Sequence, residues 1–233
     1  MTITGTERRS LQNLLTGFDD RFEKLTEEIK RVVKKGDKVL NIGCGEGKIW
    51  QNYSKGLDIY GIDMSERNLM KASKYLKPTL GSAEDLPYES QSFDLVVAGE
   101  ILEHLFEPNR TISEIDRVLK TGGSAIITFP NTGGIQFRLG IFLWGESPLL
   151  NFPNNTNHIR FFNARDIGKM IEGTNLKIKK VRGVGFLAFH KENFGYYIPV
   201  PRKIRTLGGD YFPGFSLGNI IVLSKSHSRK TNV

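Results

Sequence analysis

The feature that most constrains this 233-residue chain is one short stretch, Val39-Leu40-Asn41-Ile42-Gly43-Cys44-Gly45-Glu46-Gly47. A β-branched run enters three glycines at alternate positions, which reads as a strand ending in a tight turn. Gly43 and Gly45 let the backbone turn sharply and approach a ligand with no Cβ in the way. A helix expected over residues 46–54 would offer its first N–H groups to a phosphate or a carboxylate. The plainer alternative is an ordinary strand-to-helix turn with convenient glycines.

The rest of the chain fits a sheet that repeats this unit. Lys38–Ile42, Leu57–Asp63, Thr79–Gly81, Phe93–Gly99, Ser124–Phe129, Leu176–Val184 and Leu217–Ser224 read as seven strands. Phe93–Gly99 is apolar on both faces, as a central parallel strand should be. Helical patterns run from a Ser65 cap to about Leu76, over Asn109–Leu119 and over Asn163–Glu172. Residues 7–35 carry Leu11, Leu14, Leu15, Phe18, Phe22, Leu25, Ile29, Val32 and Val33 at helical spacing. Gly17 divides that helix, with Asp19 or Asp20 capping the second piece, and Gly36 ends it. Alternating strand and helix predict an α/β fold with a doubly wound sheet, its chemistry at the carboxyl ends of the strands. Residues 130–160 and 185–215 break the rhythm with Pro, Asn, Gly and aromatics, and connections this long are usually functional.

Composition narrows the class further. A hydrophobic content of 39% suffices for one substantial core. No apolar run is long enough to span a bilayer, and the first residues lack a secretory apolar region. With Cys44 alone no intrachain disulfide forms, so a cytoplasmic location is expected. The net charge of +8 suits an anionic partner, and the excess gathers at Lys34–Lys38, Lys177–Arg182, Arg202–Arg205 and the tail. A solvated basic surface is the plainer reading. Nucleic acid is not favoured, because no RNA-binding module or stacking motif accompanies the charge. A phosphorylated substrate and a peripheral membrane contact stay open.

Two ligands compete for the glycine loop. A dinucleotide site wants G-x-G-x-x-G, but Lys48 stands at the sixth place. That argues against a nicotinamide oxidoreductase. The G-x-G-x-G spacing after V-L-x-I instead resembles the class I S-adenosylmethionine-dependent methyltransferases. The resemblance implies a Rossmann-like single domain: a seven-stranded sheet, mostly parallel with the last strand antiparallel, helices on both faces and lid insertions. It implies that Gly43, Cys44, Gly45 and Gly47 wrap the methionine end of S-adenosylmethionine. Asp63, 16 residues past Gly47 and followed by Met64, would hold the ribose hydroxyls. Ser82, Ala83 and Glu84 would flank the adenine, and Gly99 would end the strand beside the methyl group. Ser82 stands where the family commonly has Asp, and Asn41 where it often has Asp or Glu. On this reading residues 1–36 are a helical segment covering the cofactor site. Residues 37–224 are the catalytic domain with insertions at 130–160 and 185–215, and 225–233 are a basic tail.

After the fourth strand comes Glu100-Ile101-Leu102-Glu103-His104. His104 is the natural base for an acceptor hydroxyl or ammonium, because an imidazole titrates near neutral pH. Glu100, Glu103 and His104, with His158 from the lid, also read as ligands of a divalent metal. A structural helix start is the third reading. The E-x-x-E-H string resembles that of ubiquinone-pathway O-methyltransferases and of small-RNA 2′-O-methyltransferases. Phe129-Pro130-Asn131-Thr132-Gly133-Gly134, Gly145-Glu146-Ser147-Pro148 and Asn157-His158 resemble the methionine-biosynthesis MetW group. Methyl transfer to oxygen or nitrogen of a small, lipid-linked or sugar-linked acceptor is therefore expected. The alternative is a cofactor-binding partner acting beside another enzyme.

Overall fold

Alternation of side chains along the strands decides how the sheet is covered. In a computed structural model, which describes residues 18–53, 56–145, 158–187 and 200–226, seven strands form one sheet. They are β1 (Lys38–Ile42), β2 (Asp58–Asp63), β3 (Lys77–Leu80), β4 (Phe93–Gly99), β5 (Leu119–Pro130), β6 (Leu176–Phe186) and β7 (Ser216–Lys225). Their order is β3-β2-β1-β4-β5-β7-β6. The first five pair in parallel, and β7 runs antiparallel to both β5 and β6. The expected fold class holds.

Among the described residues six helices cover the two faces: α1 (Phe18–Val32), α2 (Glu66–Ala72), α3 (Pro108–Val118), α4 (Ile135–Trp144), α5 (Ala164–Met170) and α6 (Arg202–Tyr211). On one face Val39, Leu95, Val97, Ile126 and Ile220 meet Leu25 and Ile29 of α1 and Leu69 and Ala72 of α2. On the other, Leu40, Val96, Ala98, Ile127 and Ile221 meet Ile112, Ile115 and Val118 of α3 and Ile167 of α5. The central strands β1, β4, β5 and β7 thus feed two cores, which is why stretches such as Leu95–Ala98 and Ile220–Leu223 read as unbroken apolar residues. Ser65 caps α2 through its hydroxyl, and Asn163 and Asp166 form a reciprocal capping box on α5.

The expected helix over 46–54 is replaced by a single 3-10 turn, Lys48–Trp50. Gly47 enters it in the left-handed region at φ 70°. Trp50 then turns wholly inward, and its Nε1 donates to Asn41 Oδ1 at 2.7 Å. Burying the indole with its partner sets the path here, above local helix propensity. Two helices also lie where long irregular stretches were expected. The ten-residue α4 is apolar on most sides, so it shows no 3.6-residue stripe. The other, α6, contains Gly208 and Gly209, poor helix formers, and it is inverted: Arg205 is buried while Ile204, Leu207 and Tyr211 are exposed. The expected helix start at 7–17, residues 146–157, 188–199 and the tail from 227 lie outside the described residues.

Arg205 points inward because α1, α6 and β6 share a buried ionic knot. Lys24 Nζ donates to Gly183 O and Thr206 O at 2.8 Å each, and to Asp210 Oδ1 at 3.0 Å. Arg182 pairs with Asp210, Glu27 and Glu28, and Arg205 with Asp20. Desolvated charges of this kind hold only while every partner stays in place. Burial depresses the Lys24 ammonium, and the bond and charge of Asp210 act against it. No helix among the described residues is long and apolar enough to cross a membrane.

Candidate active site

Strand order reverses between β1 and β4, so a crevice opens beyond their carboxyl ends. A cavity of about 340 Å³ lies there, lined by Gly43, Cys44 and Gly47 from the glycine loop, by Gly99 and Glu100 from the end of β4, and by Arg21 of α1. The loop is built for closeness. A Cβ on Gly43 would stand 2.9 Å from Ile101 Cδ1, whereas one on Gly45, at φ +51°, would enter open space. Glycine at 43 therefore serves packing, and glycine at 45 keeps room and a left-handed turn.

Asp63 ties the loop to β2. Its Oδ2 accepts from Gly45 N at 2.8 Å and its Oδ1 from Ser65 N at 2.9 Å. Each oxygen keeps acceptor capacity for further donors. Glu46 is held by Lys48 at 2.7 Å and by Lys71, and these bonds draw its carboxyl down to about 2. Burial, with the nearby Asp63 charge, pushes the Cys44 thiol up to about 12, so it stays protonated and unreactive. Asn41, 5% exposed, accepts from Trp50 and donates to the carbonyls of Ile42 and Val97, both at 3.3 Å.

The residues expected around the adenine lie outside this cavity's lining. Gly81 N donates to the Asp63 main-chain carbonyl at 3.1 Å, so Ser82, Ala83 and Glu84 follow just past the end of β2. Ser82 Oγ accepts from Glu84 N, Ala83 is buried, and Glu84 accepts from Glu107 N at 2.7 Å. Met64 is 78% exposed beside Asp63.

At the end of β4 the backbone is strained. Glu100 adopts φ +52°, costly for a residue with a Cβ and common where structure around it over-determines the shape. Its N–H donates to Thr128 O at 3.0 Å, its Oε1 accepts from Thr128 Oγ1 at 2.9 Å, and its Oε2 pairs with Arg21. The 3-10 turn Leu102–His104 follows. Glu103 is 1% exposed, and among the described residues neither of its carboxylate oxygens has a hydrogen-bond partner. His158 Nε2 lies 4.0 Å from its Oε1. The rings of His104 and His158 stand edge to face with centroids 4.8 Å apart. The backbone after His158 is pinned here, since Ile159 N and Arg160 N both donate to Glu103 O.

One donor atom each from Glu103, His104 and His158 lie within 4.8 Å of one another. Glu100, expected in the same set, points instead to Arg21 and Thr128. Burial, reinforced by the Glu100 charge and opposed by Arg21, lifts the Glu103 carboxyl to about 8. Burial, with the positive fields of His104 and Arg21, lowers the His158 imidazole. Near neutral pH a protonated carboxyl therefore faces a neutral imidazole.

Two residues at this site were not legible beforehand. Arg21 reaches the cavity from α1, 22 positions before Gly43, and nothing local marks it among the helix's charges. Thr128 sits in a strand that reads as core.

The reversal between β1 and β4, the glycine loop and the β2 carboxylate are the arrangement of a class I S-adenosylmethionine-dependent methyltransferase domain. Residues 40–127 match the family described as a methyltransferase domain. Among curated proteins the chain is 28% identical over 170 residues to the ubiquinone biosynthesis O-methyltransferase of Rickettsia akari (strain Hartford). It is 29% identical over 167 residues to the mitochondrial ubiquinone biosynthesis O-methyltransferase of Homo sapiens. These matches take in 70% and 66% of this chain, and 67% and 45% of the relatives' lengths. A solved S-adenosylmethionine-dependent methyltransferase of Thermotoga maritima superposes with TM-score 0.64 at 21% identity, covering 95% of this chain and 96% of its own.

Proposed function

We propose that this methyltransferase acts on a hydroxyl oxygen of a small or carrier-linked acceptor, placed between the cofactor cavity and the Glu103–His104–His158 cluster. The observation that carries the reading is Glu103: a buried carboxyl without a hydrogen-bond partner among the described residues, facing two imidazoles one turn past β4. Buried polar groups are normally satisfied, and the exceptions mark places prepared for something else. The names of the relatives, which transfer to oxygen, agree with it.

Gly43–Gly47 would hold the methionine end of the cofactor, Asp63 the ribose hydroxyls, Arg21 the α-carboxylate, and Met64 with Ser82–Glu84 the adenine. When bound, the cofactor supplies an electrophilic methyl on a sulfonium, and transfer is an in-line displacement in which alignment provides much of the rate. The chain's part is to align the acceptor oxygen and take its proton. His104 or His158 accepts that proton, and the Glu103 carboxyl beside them would orient the ring that takes it. The exposed Ile141, Phe142 and Leu143 of α4 suit an acceptor with an apolar or lipid-linked part.

A second reading comes from the same geometry. Glu103, His104 and His158 offer the nitrogen and oxygen donors of a divalent cation site. A cation there would lower the pKa of the acceptor hydroxyl.

Labelled S-adenosylmethionine offered with a panel of hydroxyl and amine acceptors tests the main reading. Label transferred to a hydroxyl, and lost in Glu103→Gln with cofactor affinity retained, is the expected result. Cofactor binding with no transfer across the panel would leave the accessory-partner role resembling the MetW group. Turnover insensitive to chelator would remove the cation.

A further inference from the structure

We propose that a groove between α3 and α5 is a phosphate-binding subsite, through which the acceptor is held by a phosphate monoester. The acceptor half of this inference rests on the oxygen-transfer reading; the groove itself does not. The groove has a volume of about 810 Å³, against about 340 Å³ for the cofactor cavity. Phe106, Arg110, Arg160, Phe162, Lys169 and Met170 are in its lining. Its wall is fastened to the residues that follow β4 and β5. Arg160 N donates to Glu103 O at 3.1 Å, and Arg160 Nη2 to Phe106 O at 2.7 Å. Phe162 is buried edge to face against Phe129 of β5, and its carbonyl accepts from Thr132 N at 3.0 Å.

The uncommitted charge in the groove is positive. Arg160 and Lys169 have no acidic partner among the described residues. Two acids share the lining, but Glu107 is exposed and lies 3.9 Å from Arg110, and Asp166 caps α5 by accepting from Asn163 N at 2.8 Å. A guanidinium carries its N–H donors in a fixed fork, so Arg160 can grip a phosphate with two parallel bonds. Lys169 and Arg110 add charge from the sides. A phosphate monoester suits three cations better than a carboxylate does, because it carries close to two negative charges at neutral pH and three acceptor oxygens. Phe106, 76% exposed, and Met170 offer apolar surface to the esterified part. With its phosphate here, a hydroxyl on the same molecule is directed to His158, two positions before Arg160.

The test is calorimetry of phenyl phosphate, benzoate and phenol with the full-length protein saturated with S-adenosylhomocysteine. Phenyl phosphate should bind at least about tenfold more tightly than benzoate or phenol. Arg160→Gln should weaken it on the order of tenfold and Lys169→Gln roughly threefold, while S-adenosylhomocysteine affinity stays within about twofold. Lys169 is exposed and holds no other residue, so its variant keeps the test sound if Arg160→Gln disturbs the loop. In turnover, 4-hydroxyphenyl phosphate should show a KM about tenfold below that of hydroquinone, and Lys169→Gln should narrow that ratio. Phenyl phosphate held equally by wild type and both variants, or no better than phenol, would overturn the subsite. Hydroquinone methylated as readily as its phosphate would overturn the acceptor half and leave the oxygen-transfer reading standing. Phenyl phosphate bound through Arg160 and Lys169, with no hydroxyl methylated, would sink the oxygen-transfer reading and keep the phosphate site.

Discussion

The two walls of the crevice are finished to different degrees. On the β1–β2 wall every polar group has work: Asp63 accepts from Gly45 and Ser65, Asn41 joins Trp50, and Glu46 is held by two lysines. On the β4 wall the buried Glu103 carboxyl has no hydrogen-bond partner among the described residues, and Glu100 nearby sits in a strained conformation. A satisfied wall is preformed for one ligand, whereas an unsatisfied one keeps capacity for groups that arrive during the reaction. The difference separates what is held from what is transformed.

That contrast can be broken by substitution, beginning with the largest effect. Glu103→Ala should lower kcat by on the order of 100-fold or more while S-adenosylhomocysteine affinity stays within about twofold. Comparable losses in both would make Glu103 a part of the cofactor wall. Gly45→Val should weaken S-adenosylhomocysteine on the order of 100-fold by calorimetry, about 2.7 kcal/mol, with the circular dichroism spectrum retained. Its new side chain enters open space rather than protein, at a φ of +51° that strains any residue with a Cβ. Unchanged affinity would move the ligand elsewhere.

Titration sharpens the comparison. The Glu103 carboxyl sits near 8 in the fold, above its ordinary 4.5. A raised acid contributes stability that is complete below the unfolded value and lost as pH climbs through the folded one. The melting temperature of Glu103→Gln should therefore gain on wild type between pH 5 and 9, by roughly 10 °C at the upper end. A constant difference would mean that the carboxyl does not ionise in that window. The smallest effect is on the His158 imidazole, which burial lowers. The acid limb of kcat/KM should lie below the ordinary imidazole range and return toward it in His104→Asn, which removes one positive neighbour.

Legibility in the sequence followed locality. The glycine loop, Asp63 and the Ser65 cap lie within some 25 residues, so spacing alone placed them on one edge. His158 could be named as a candidate from its type, but its approach to Glu103 depends on main-chain bonds from Ile159 and Arg160 across more than 50 positions. Arg21 and Thr128 carried no signal, since one looks like any helix charge and the other like any strand residue. α4 and α6 were hidden for opposite reasons: one has no polar face, and the other turns its charge inward and its apolar residues outward.

The ionic knot has a consequence for how the chain is made. Lys24 emerges 159 positions before Gly183, whose carbonyl it needs. At synthesis rates of about 5–20 residues per second, α1 waits roughly 8–30 s on the ribosome before its anchorage exists. The helix beside the cavity can pack its apolar face early, but its ionic anchorage is completed only once β6 is made. A nascent chain stopped before β6 should therefore carry the glycine loop and Asp63 yet hold no cofactor.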